Sequence, residues 1–356
     1  MVPMKKILNL VLLFSLCLGM ESKRKSYNIL ILNEEINIDG FLNESIWSKG
    51  SPITNFIQKD PQPGAPAKNN TEVRIAIDDE YVYVGAYLFD SSPDSIARQI
   101  IRRDGWGYSD WFAMGIDSYF DRRTCFGFWV NPSGSMRDVL HYNDTETDNS
   151  WDAVWEAKTV MHENGWSTEM KIPLSQLRYN PSSMNQVWGL NFYRKTARYG
   201  EESFWEPILM ETKGFVSQFG NLTGLNLPKQ KKRVEVLPYI AGKNLLEDGS
   251  TNDPYWEQNN LSGNMGVDLK VGVGSNFTLT GTIFPDFGQV EADPANLNLS
   301  AFETFFEERR PFFLEGTDIF QFGKTRSFSS GGSNLFYSRR IGREPRGYIS
   351  DENTQF

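Results

Sequence analysis

With 356 residues, the chain is long enough for two domains of roughly 150 residues each. Its 45 acidic residues outnumber its 36 basic residues, and this net charge of −9 argues against a protein that binds nucleic acid through a basic surface. Two histidines and two cysteines leave little material for a histidine-rich metal site or a disulfide framework, whereas the aromatic share of 14% favours sheets and stacking surfaces.

The N-terminus has the pattern of a secretory signal peptide. Two lysines precede an apolar run, residues 7–18, which is too short to cross a bilayer comfortably. We therefore expect residues 1–20 to be removed and the rest of the chain to be exported. The alternatives are a buried N-terminal helix and a lipoprotein acylated at Cys17. Leu16 argues against acylation, because a small residue normally precedes a lipidated cysteine.

Residues 27–227 are predicted to form many short strands separated by turns. Residues 72–77 alternate between apolar and mostly polar positions, and residues 125–130 and 166–172 also have a period of two. Residues 81–89 are apolar on both faces, which is typical of a strand that is covered on both sides. This pattern predicts an all-β domain, a β-sandwich of the immunoglobulin-like or jelly-roll kind.

A polar, basic linker is predicted at residues 228–233, and the pattern changes beyond it. In residues 265–283 an apolar face alternates with glycine, threonine and charged residues, which is typical of a hairpin from an antiparallel outer-membrane barrel. An amphipathic hairpin of a soluble sheet is the alternative. A barrel needs at least about eight strands. We therefore expect residues 234–356 to be the incomplete start of a barrel, in a truncated or longer protein.

The tryptophans point to the first domain as the place for a stacking surface, because nine of the ten lie between Trp47 and Trp205. Aromatic rings pack well against the flat C–H faces of sugars. Trp106 lies in a glycine-flanked loop, where a ring gains little from core packing, Trp111 begins the next strand, and Trp151 follows a polar run. Four others lie in alternating strands and are expected in the core: Trp155, Trp166, Trp188 and Trp205.

The carboxylates suggest two further chemistries. A glycosidase needs two carboxyl groups roughly 5–10 Å apart, and Asp152, Glu156 and Glu169 are the candidates, although nothing in the sequence pairs them. Solvated strand faces are the simpler interpretation. Asp117 and Asp121 offer oxygen ligands of the kind that calcium prefers, but acidic turns are common without a metal. No pattern in the sequence requires a cofactor. If the protein binds one, the acidic turn residues suggest calcium.

Residues 36–47, which read INIDGFLNESIW, resemble the opening strand and turn of the family-nine carbohydrate-binding modules. The resemblance continues through residues 71–90, residues 165–173 and the FGNL run at 219–222, so that it covers about residues 36–227. It implies a β-sandwich fold and a carbohydrate ligand. Because such modules are often attached to glycoside hydrolases, it also associates the chain with hydrolysis of O-glycosyl bonds.

Known modules of this family clamp a terminal sugar between two tryptophans and hold its hydroxyl groups with charged side chains. Trp106 matches the first ring of the clamp. The second position falls in residues 213–216, which contain Phe215 but no tryptophan. The expected acidic and arginine positions hold Ala113 and Trp129. The resemblance therefore implies the fold more strongly than it implies the sugar site.

Residues 284–294 and 302–316 resemble a large Gram-negative family known as domain of unknown function 5916. In that family a module of this kind precedes an outer-membrane β-barrel. The resemblance implies an exported protein of the outer membrane, with the module in the periplasm or on the cell surface.

Three hypotheses follow. The favoured one is a glycan-binding module attached to an outer-membrane barrel that serves polysaccharide uptake or catabolism. Its partners would be a glycan, membrane lipid and other glycan-uptake proteins, and no nucleic acid. The second is a structural or gating domain that binds no sugar, and the third and least favoured is an O-glycosyl hydrolase. The candidate carbohydrate contacts are Trp106, Trp111, Trp151 and Phe215.

Overall fold

The computed structural model describes residues 24–179, 186–227, 234–246, 259–273 and 277–284, together with Ser338. The predicted signal peptide and the predicted linker lie outside the described residues. These residues group into two compact units, which consist mainly of the residues before and after the predicted linker.

The first unit is built from short strands and turns. In chain order its described strands are β1 (Ser26–Asn28), β2 (Leu30–Ile31), β3 (Ile57–Asp60), β4 (Thr71–Ile77), β5 (Tyr81–Phe89), β6 (Trp111–Asp117), β7 (Cys125–Val130), β8 (Met136–Tyr142), β9 (Glu146–Asp148), β10 (Glu156–His162), β11 (Gly165–Pro173), β12 (Gln186–Thr196), β13 (Glu201–Phe204) and β14 (Gly220–Leu225). The helices within the described residues are short 3-10 turns: Ser45–Ser48, Pro93–Ser95, Leu174–Gln176, Ala197–Tyr199 and Val216–Gln218. None of these turns has the length and apolar character needed to cross a membrane.

Two sheets make up this unit. The larger has the order β1-β14-β12-β6-β7-β8-β9, with β13 pairing with β12 and β3 pairing with β13. The smaller has the order β10-β11-β5-β4-β2. The parallel pairs β1-β14 and β2-β4 lie at sheet edges, whereas the central pairs are antiparallel. The predicted all-β sandwich is confirmed.

Alternate apolar residues of the central strands are fully buried and form the core of the sandwich. They include Val73, Ile75, Val82, Val84, Phe112, Met114, Phe128, Phe192, Met170 and Ile172. The four tryptophans expected in the core, Trp155, Trp166, Trp188 and Trp205, are all buried, which confirms that prediction.

The outer face of the five-stranded sheet is covered by the N-terminal segment, residues 29–47. Its apolar side chains pack against Ala76 of β4 and Tyr83 of β5. Strand β5 is therefore covered on both faces, as the two-sided apolarity of residues 81–89 predicted.

Glu169 of β11 holds this N-terminal segment in place. Its carboxylate accepts a hydrogen bond from the indole N–H of Trp47 at 2.8 Å, and it accepts the backbone N–H groups of Asp39 and Gly40 at 3.0 and 2.9 Å. Three donors converge on one fully buried carboxyl group. Glu169 is therefore a structural residue rather than a solvated position on a strand face.

The second unit contains one antiparallel sheet, formed in the described residues by β15 (Val234–Leu246), β16 (Asn259–Val273) and β17 (Phe277–Ile283). Its register pairs apolar residues across the strands, for example Val236 with Leu269 and Val271 with Leu279. Val236, Leu269 and Leu279 are exposed and Val271 is half-buried, and the alternate face carries Asp268, threonines and other polar residues. The predicted amphipathic alternation is present. The remainder of the predicted barrel segment lies outside the described residues.

Candidate functional site

A cavity of about 240 Å³ opens on the outer face of the nine-stranded sheet. Its floor consists of small residues on β6 and β7, namely Ala113, Gly115, Cys125 and Gly127. Gly115 pairs directly with Gly127 across the two strands. A Cβ atom at Gly115 would lie 2.9 Å from both the Cys125 Sγ and a ring carbon of Phe219. Glycine is thus needed here, because a side chain would displace the ring that closes the cavity.

The walls of the cavity are aromatic. The ring centroids of Trp129 and Tyr193 are 4.7 Å apart, and those of Tyr193 and Phe204 are 5.1 Å apart. Phe215 packs edge to face against Phe219 at 5.2 Å. Such contacts fix the rings relative to one another, so the cavity presents a preformed apolar surface.

Few polar groups reach the cavity. Lys59 and Glu202 lie in its lining with their charged atoms 3.9 Å apart. The Tyr193 hydroxyl donates to Glu202, and burial together with this carboxylate raises the pKa of Tyr193 above its usual value. Polar groups that are few and localised can orient a ligand while the rings supply most of the contact area.

His141 also lines the cavity. Burial, assisted by the charge of Arg137, lowers the pKa of His141 to about 4, so that its imidazole is neutral at pH 7. Among the described residues its buried Nδ1 has no hydrogen-bond partner. A neutral imidazole offers one donor and one acceptor, and both suit hydroxyl groups.

Trp106 stands at the mouth of the cavity and is 48% exposed. One face of its ring stacks on Trp111, with the centroids 5.2 Å apart and the planes within 2° of parallel. Trp129 meets it edge to face at 5.8 Å. Lys195 and Arg137 lie over the same ring, with Nζ 4.8 Å and Cζ 5.2 Å from its centroid.

The loop that carries Trp106 is anchored to β8. The Arg103 guanidinium donates to the Asp138 carboxylate at 2.6 Å, and to the carbonyl of Ala153, also at 2.6 Å. The backbone N–H of Asp104 donates to the carbonyl of Met136 at 3.1 Å. These long-range bonds hold the loop, so the half-exposed indole is kept in a defined orientation.

Phe215 is positioned by Asp144. The carboxylate of Asp144 accepts the backbone N–H groups of Phe215 and Ser217, at 2.9 and 2.8 Å, and the hydroxyl of Ser217 at 2.8 Å. The Asp144 side chain therefore holds the segment before β14 in a conformation that places the Phe215 ring in the wall of the cavity.

The structure brings together three of the four sequence-derived candidates. Trp106 and Phe215 line the cavity, and Trp111 is buried beneath Trp106. Trp151 is only 7% exposed and is not among the residues that line the cavity.

The family resemblance placed Trp129 at an arginine position of the sugar site but did not mark it as a contact, and sequence reasoning did not identify Tyr193, Phe204 or His141. For Trp129 a further signal was the alternation within residues 125–130, which places every second side chain on one face of the strand. That signal was ambiguous, because both faces of the strand carry aromatic residues.

The carboxylates that suggested hydrolysis do not line the cavity. Glu169 is buried among the donors described above, whereas Glu156 and Asp152 are exposed. The carboxylate of Asp117 accepts the backbone N–H of Arg122 at 2.9 Å, and that of Asp121 accepts neighbouring turn groups.

Within the part of the chain that the structure describes, no group of three or more His, Cys, Asp and Glu side chains is arranged to hold a metal ion. Calcium binding at Asp117 and Asp121 stays a prediction.

Stability of the first unit is expected to fall as the pH rises from about 4 to about 7. Burial raises the pKa of Asp110, Asp117 and Asp138 to about 6, and that of Glu169 to about 7. In this range the folded state keeps protons that the unfolded state has released, so the free energy of unfolding decreases with pH.

The two histidines oppose this trend, because burial lowers their pKa values, but four carboxyl groups outweigh them. Urea denaturation at pH 5.0 and pH 7.5 measures the difference. A higher free energy of unfolding at pH 7.5 would contradict the expectation.

Solved structures that match part of this chain include a family-nine carbohydrate-binding module from Caldicellulosiruptor kristjanssonii. Its glucose complex is 18% identical with a TM-score of 0.42, and the match covers 57% of this chain and 95% of the module. Its cellotriose complex is also 18% identical, with a TM-score of 0.41 and coverages of 57% and 94%. A candidate carbohydrate-binding protein from Bacteroides uniformis is 16% identical, with a TM-score of 0.46 and coverages of 56% and 99%.

Curated proteins provide no significant match to the chain. Residues 231–355 match the model of a family described as a domain of unknown function, DUF5916. The resemblance predicted for this part of the chain is thereby confirmed.

Proposed function

We propose that the first unit binds carbohydrate, with the end of a glycan inserted in the aromatic cavity. The observation that carries this proposal is a preformed cavity of about 240 Å³ with aromatic walls and a half-exposed Trp106 at its mouth. About half of this indole remains open to water, and covering that apolar area with a ligand is favourable.

The chemistry of the lining suits a sugar ring. A pyranose presents C–H groups on its faces and hydroxyl groups around its edge, so aromatic walls and a few polar groups match it. Neutral His141 and the Lys59–Glu202 pair supply donors and acceptors at the wall. The volume lies just below the roughly 300 Å³ at which ligand pockets usually begin. A single terminal residue is therefore the expected occupant.

The replacement Trp106→Ala tests this proposal. We expect the full chain, purified in mild detergent, to bind members of a panel of neutral and acidic oligosaccharides, measured by calorimetry. Loss of the Trp106 contact should weaken binding by about 1.5–3 kcal/mol, or roughly 10- to 150-fold.

Tyr108→Ala is the matched control, because Tyr108 lies in the same loop, is 67% exposed and does not line the cavity. It should leave the affinity unchanged. Circular dichroism of both variants reports whether the sandwich remains folded. Absence of binding by the unaltered chain across the panel would favour a structural or gating domain. Equal affinities of the Trp106 variant and the unaltered chain would remove this cavity as the site.

We assign binding rather than hydrolysis to this site. None of Asp152, Glu156 and Glu169 lines the cavity. The carboxyl group of Glu169 already accepts three hydrogen bonds from within the protein. Release of reducing sugar that disappears in Glu156→Gln would contradict this assignment and revive an O-glycosyl hydrolase.

We also propose that the chain is exported and that the second unit lies in the outer membrane, with the apolar face of its sheet towards lipid. Ile240, Met265 and Phe277 are all largely exposed on strands of up to 15 residues, which is enough to cross the hydrocarbon layer. Such an exposed apolar sheet is unfavourable in water. The protein would then capture glycans for uptake or catabolism, on either the periplasmic or the outer surface.

Leu279→Arg tests this membrane assignment against Thr280→Arg. The two neighbours point to opposite faces of β17, with Leu279 on the apolar one. An arginine that faces lipid near the midplane costs about 2–4 kcal/mol. We therefore expect only Leu279→Arg to reduce the amount of protein recovered in outer-membrane fractions. Equal recovery of the two variants would count against the proposal.

A further inference from the structure

We propose that the carbohydrate ligand is anionic and that Lys195 and Arg137 hold its carboxylate or sulfate group beside Trp106. This inference rests on the proposed carbohydrate site and narrows its ligand class to acidic sugars. The observation behind it is a pair of cations that converge on the half-exposed ring of Trp106 at the cavity mouth.

The two cations reach Trp106 from different strands of the sheet. Lys195 extends from β12 and Arg137 from β8, which lie on either side of β6 and β7. Their charged groups lie 4.8 and 5.2 Å from the centroid of the Trp106 ring. A ligand that contacts the open part of this ring therefore comes within reach of two positive charges, each in contact with the aromatic face.

Lys195 has no carboxylate partner among the described residues, since no acidic oxygen there lies within 4.0 Å of its Nζ. The nearest acidic residue by register is Glu202, its cross-strand neighbour. The carboxylate of Glu202 instead contacts Lys59 at 3.9 Å and accepts the Tyr193 hydroxyl. The ammonium group of Lys195 is therefore available to form an ion pair with an anionic ligand.

Burial lowers the pKa of the Arg137 guanidinium, and the nearby charge of Asp104 opposes this shift. The guanidinium remains charged at neutral pH, because an arginine pKa starts far above 7. Its planar fork suits the two oxygens of a carboxylate or sulfate better than it suits isolated hydroxyl groups. One ammonium and one guanidinium beside a stacking ring favour an acidic sugar over its neutral parent.

The experiment compares matched ligands on the full chain in mild detergent. Oligomers of glucuronic or galacturonic acid, sulfated oligosaccharides and the neutral parent oligosaccharides are titrated by calorimetry at low and high salt. We expect at least one acidic class to bind about 10-fold more tightly than its neutral parent, the size of one charge-assisted hydrogen bond. This advantage should shrink at high salt, because screening weakens the attraction.

Variants assign the effect to Lys195. Lys195→Met keeps the apolar stem over Trp106 but removes the charge, and it should abolish most of the 10-fold advantage. Lys195→Arg should retain it. Lys158→Met is the matched control, because Lys158 is exposed on β10 of the other sheet, and it should leave the advantage unchanged.

The outcomes separate this inference from the proposed function. Equal affinities for acidic and neutral sugars, both reduced by Trp106→Ala, would overturn the inference and keep the carbohydrate site. An acidic advantage that persists in Lys195→Met would also overturn it. Absence of binding to every sugar would overturn both proposals. Whether carboxylated or sulfated sugars bind more tightly identifies the source of the negative charge.

Discussion

Replacing Arg194 by methionine is expected to lower the free energy of unfolding of the first unit by about 3–5 kcal/mol, the usual cost of removing one partner from a buried charge network. The guanidinium of Arg194 on β12 donates to the carbonyl oxygens of Asn70 and Phe89, both at 2.7 Å, and to the hydroxyl of Thr71 at 2.9 Å. Because β12 belongs to the larger sheet and β4 and β5 to the smaller, this one side chain connects the two layers of the sandwich.

Burial lowers the pKa of Arg194 to about 10, against the opposing fields of Asp110, Asp90 and Glu201, so its charge persists at neutral pH. Methionine fills much of the same volume, but its side chain donates no hydrogen bonds. Buried carbonyl oxygens would then lose their partners, and the nearby carboxylates would lose a compensating charge. Both losses destabilise the folded state and therefore lower the free energy of unfolding.

Equilibrium denaturation in urea, followed by tryptophan fluorescence, measures the effect of Arg194→Met. Arg98→Met is the control, because Arg98 is exposed, and a surface substitution usually changes stability by no more than about 0.5 kcal/mol. A loss below about 1 kcal/mol for Arg194→Met would show that the connection between the sheets contributes little.

Glu169→Ala is expected to lower the free energy of unfolding by about 3 kcal/mol, since three N–H donors, two of them buried and one part-buried, would lose their acceptor. The donors belong to Trp47, Asp39 and Gly40, all in the segment that covers the smaller sheet. We expect this segment to loosen first, which should speed the exchange of its amide hydrogens more than that of amides in the core strands.

Glu156→Ala is the matched control for Glu169→Ala. Glu156 lies on the neighbouring strand β10, and its side chain is exposed. It should leave both stability and amide exchange unchanged. If the two substitutions have equal effects, Glu169 does not anchor the N-terminal segment in the way that its hydrogen bonds indicate.

Local sequence patterns determined the fold class. The period of two in residues 72–77, 125–130 and 166–172, with turns between them, is a direct consequence of pleated-strand geometry and needs no tertiary information. The two-sided apolarity of residues 81–89 likewise indicated a strand covered on both faces, and the N-terminal segment provides the second cover.

Sequence patterns identified only some of the residues of the candidate site. The sequence identified Trp106 because flanking glycines place it in a loop, and Phe215 because of its position in the family resemblance. Sequence spacing could not show that Trp151 is buried, since the polar residues before it say nothing about what packs over it.

By itself, then, the sequence determined that the chain is an all-β protein with a sandwich followed by an amphipathic sheet, and that an exposed indole belongs to the sandwich. Only the tertiary structure decided that Gly115 faces Gly127, that Trp129 and Tyr193 meet over this floor, and that Lys195 reaches Trp106. The physical reason is register. A shift of one residue moves every side chain of a strand to the other face, and the packing of distant segments sets that choice.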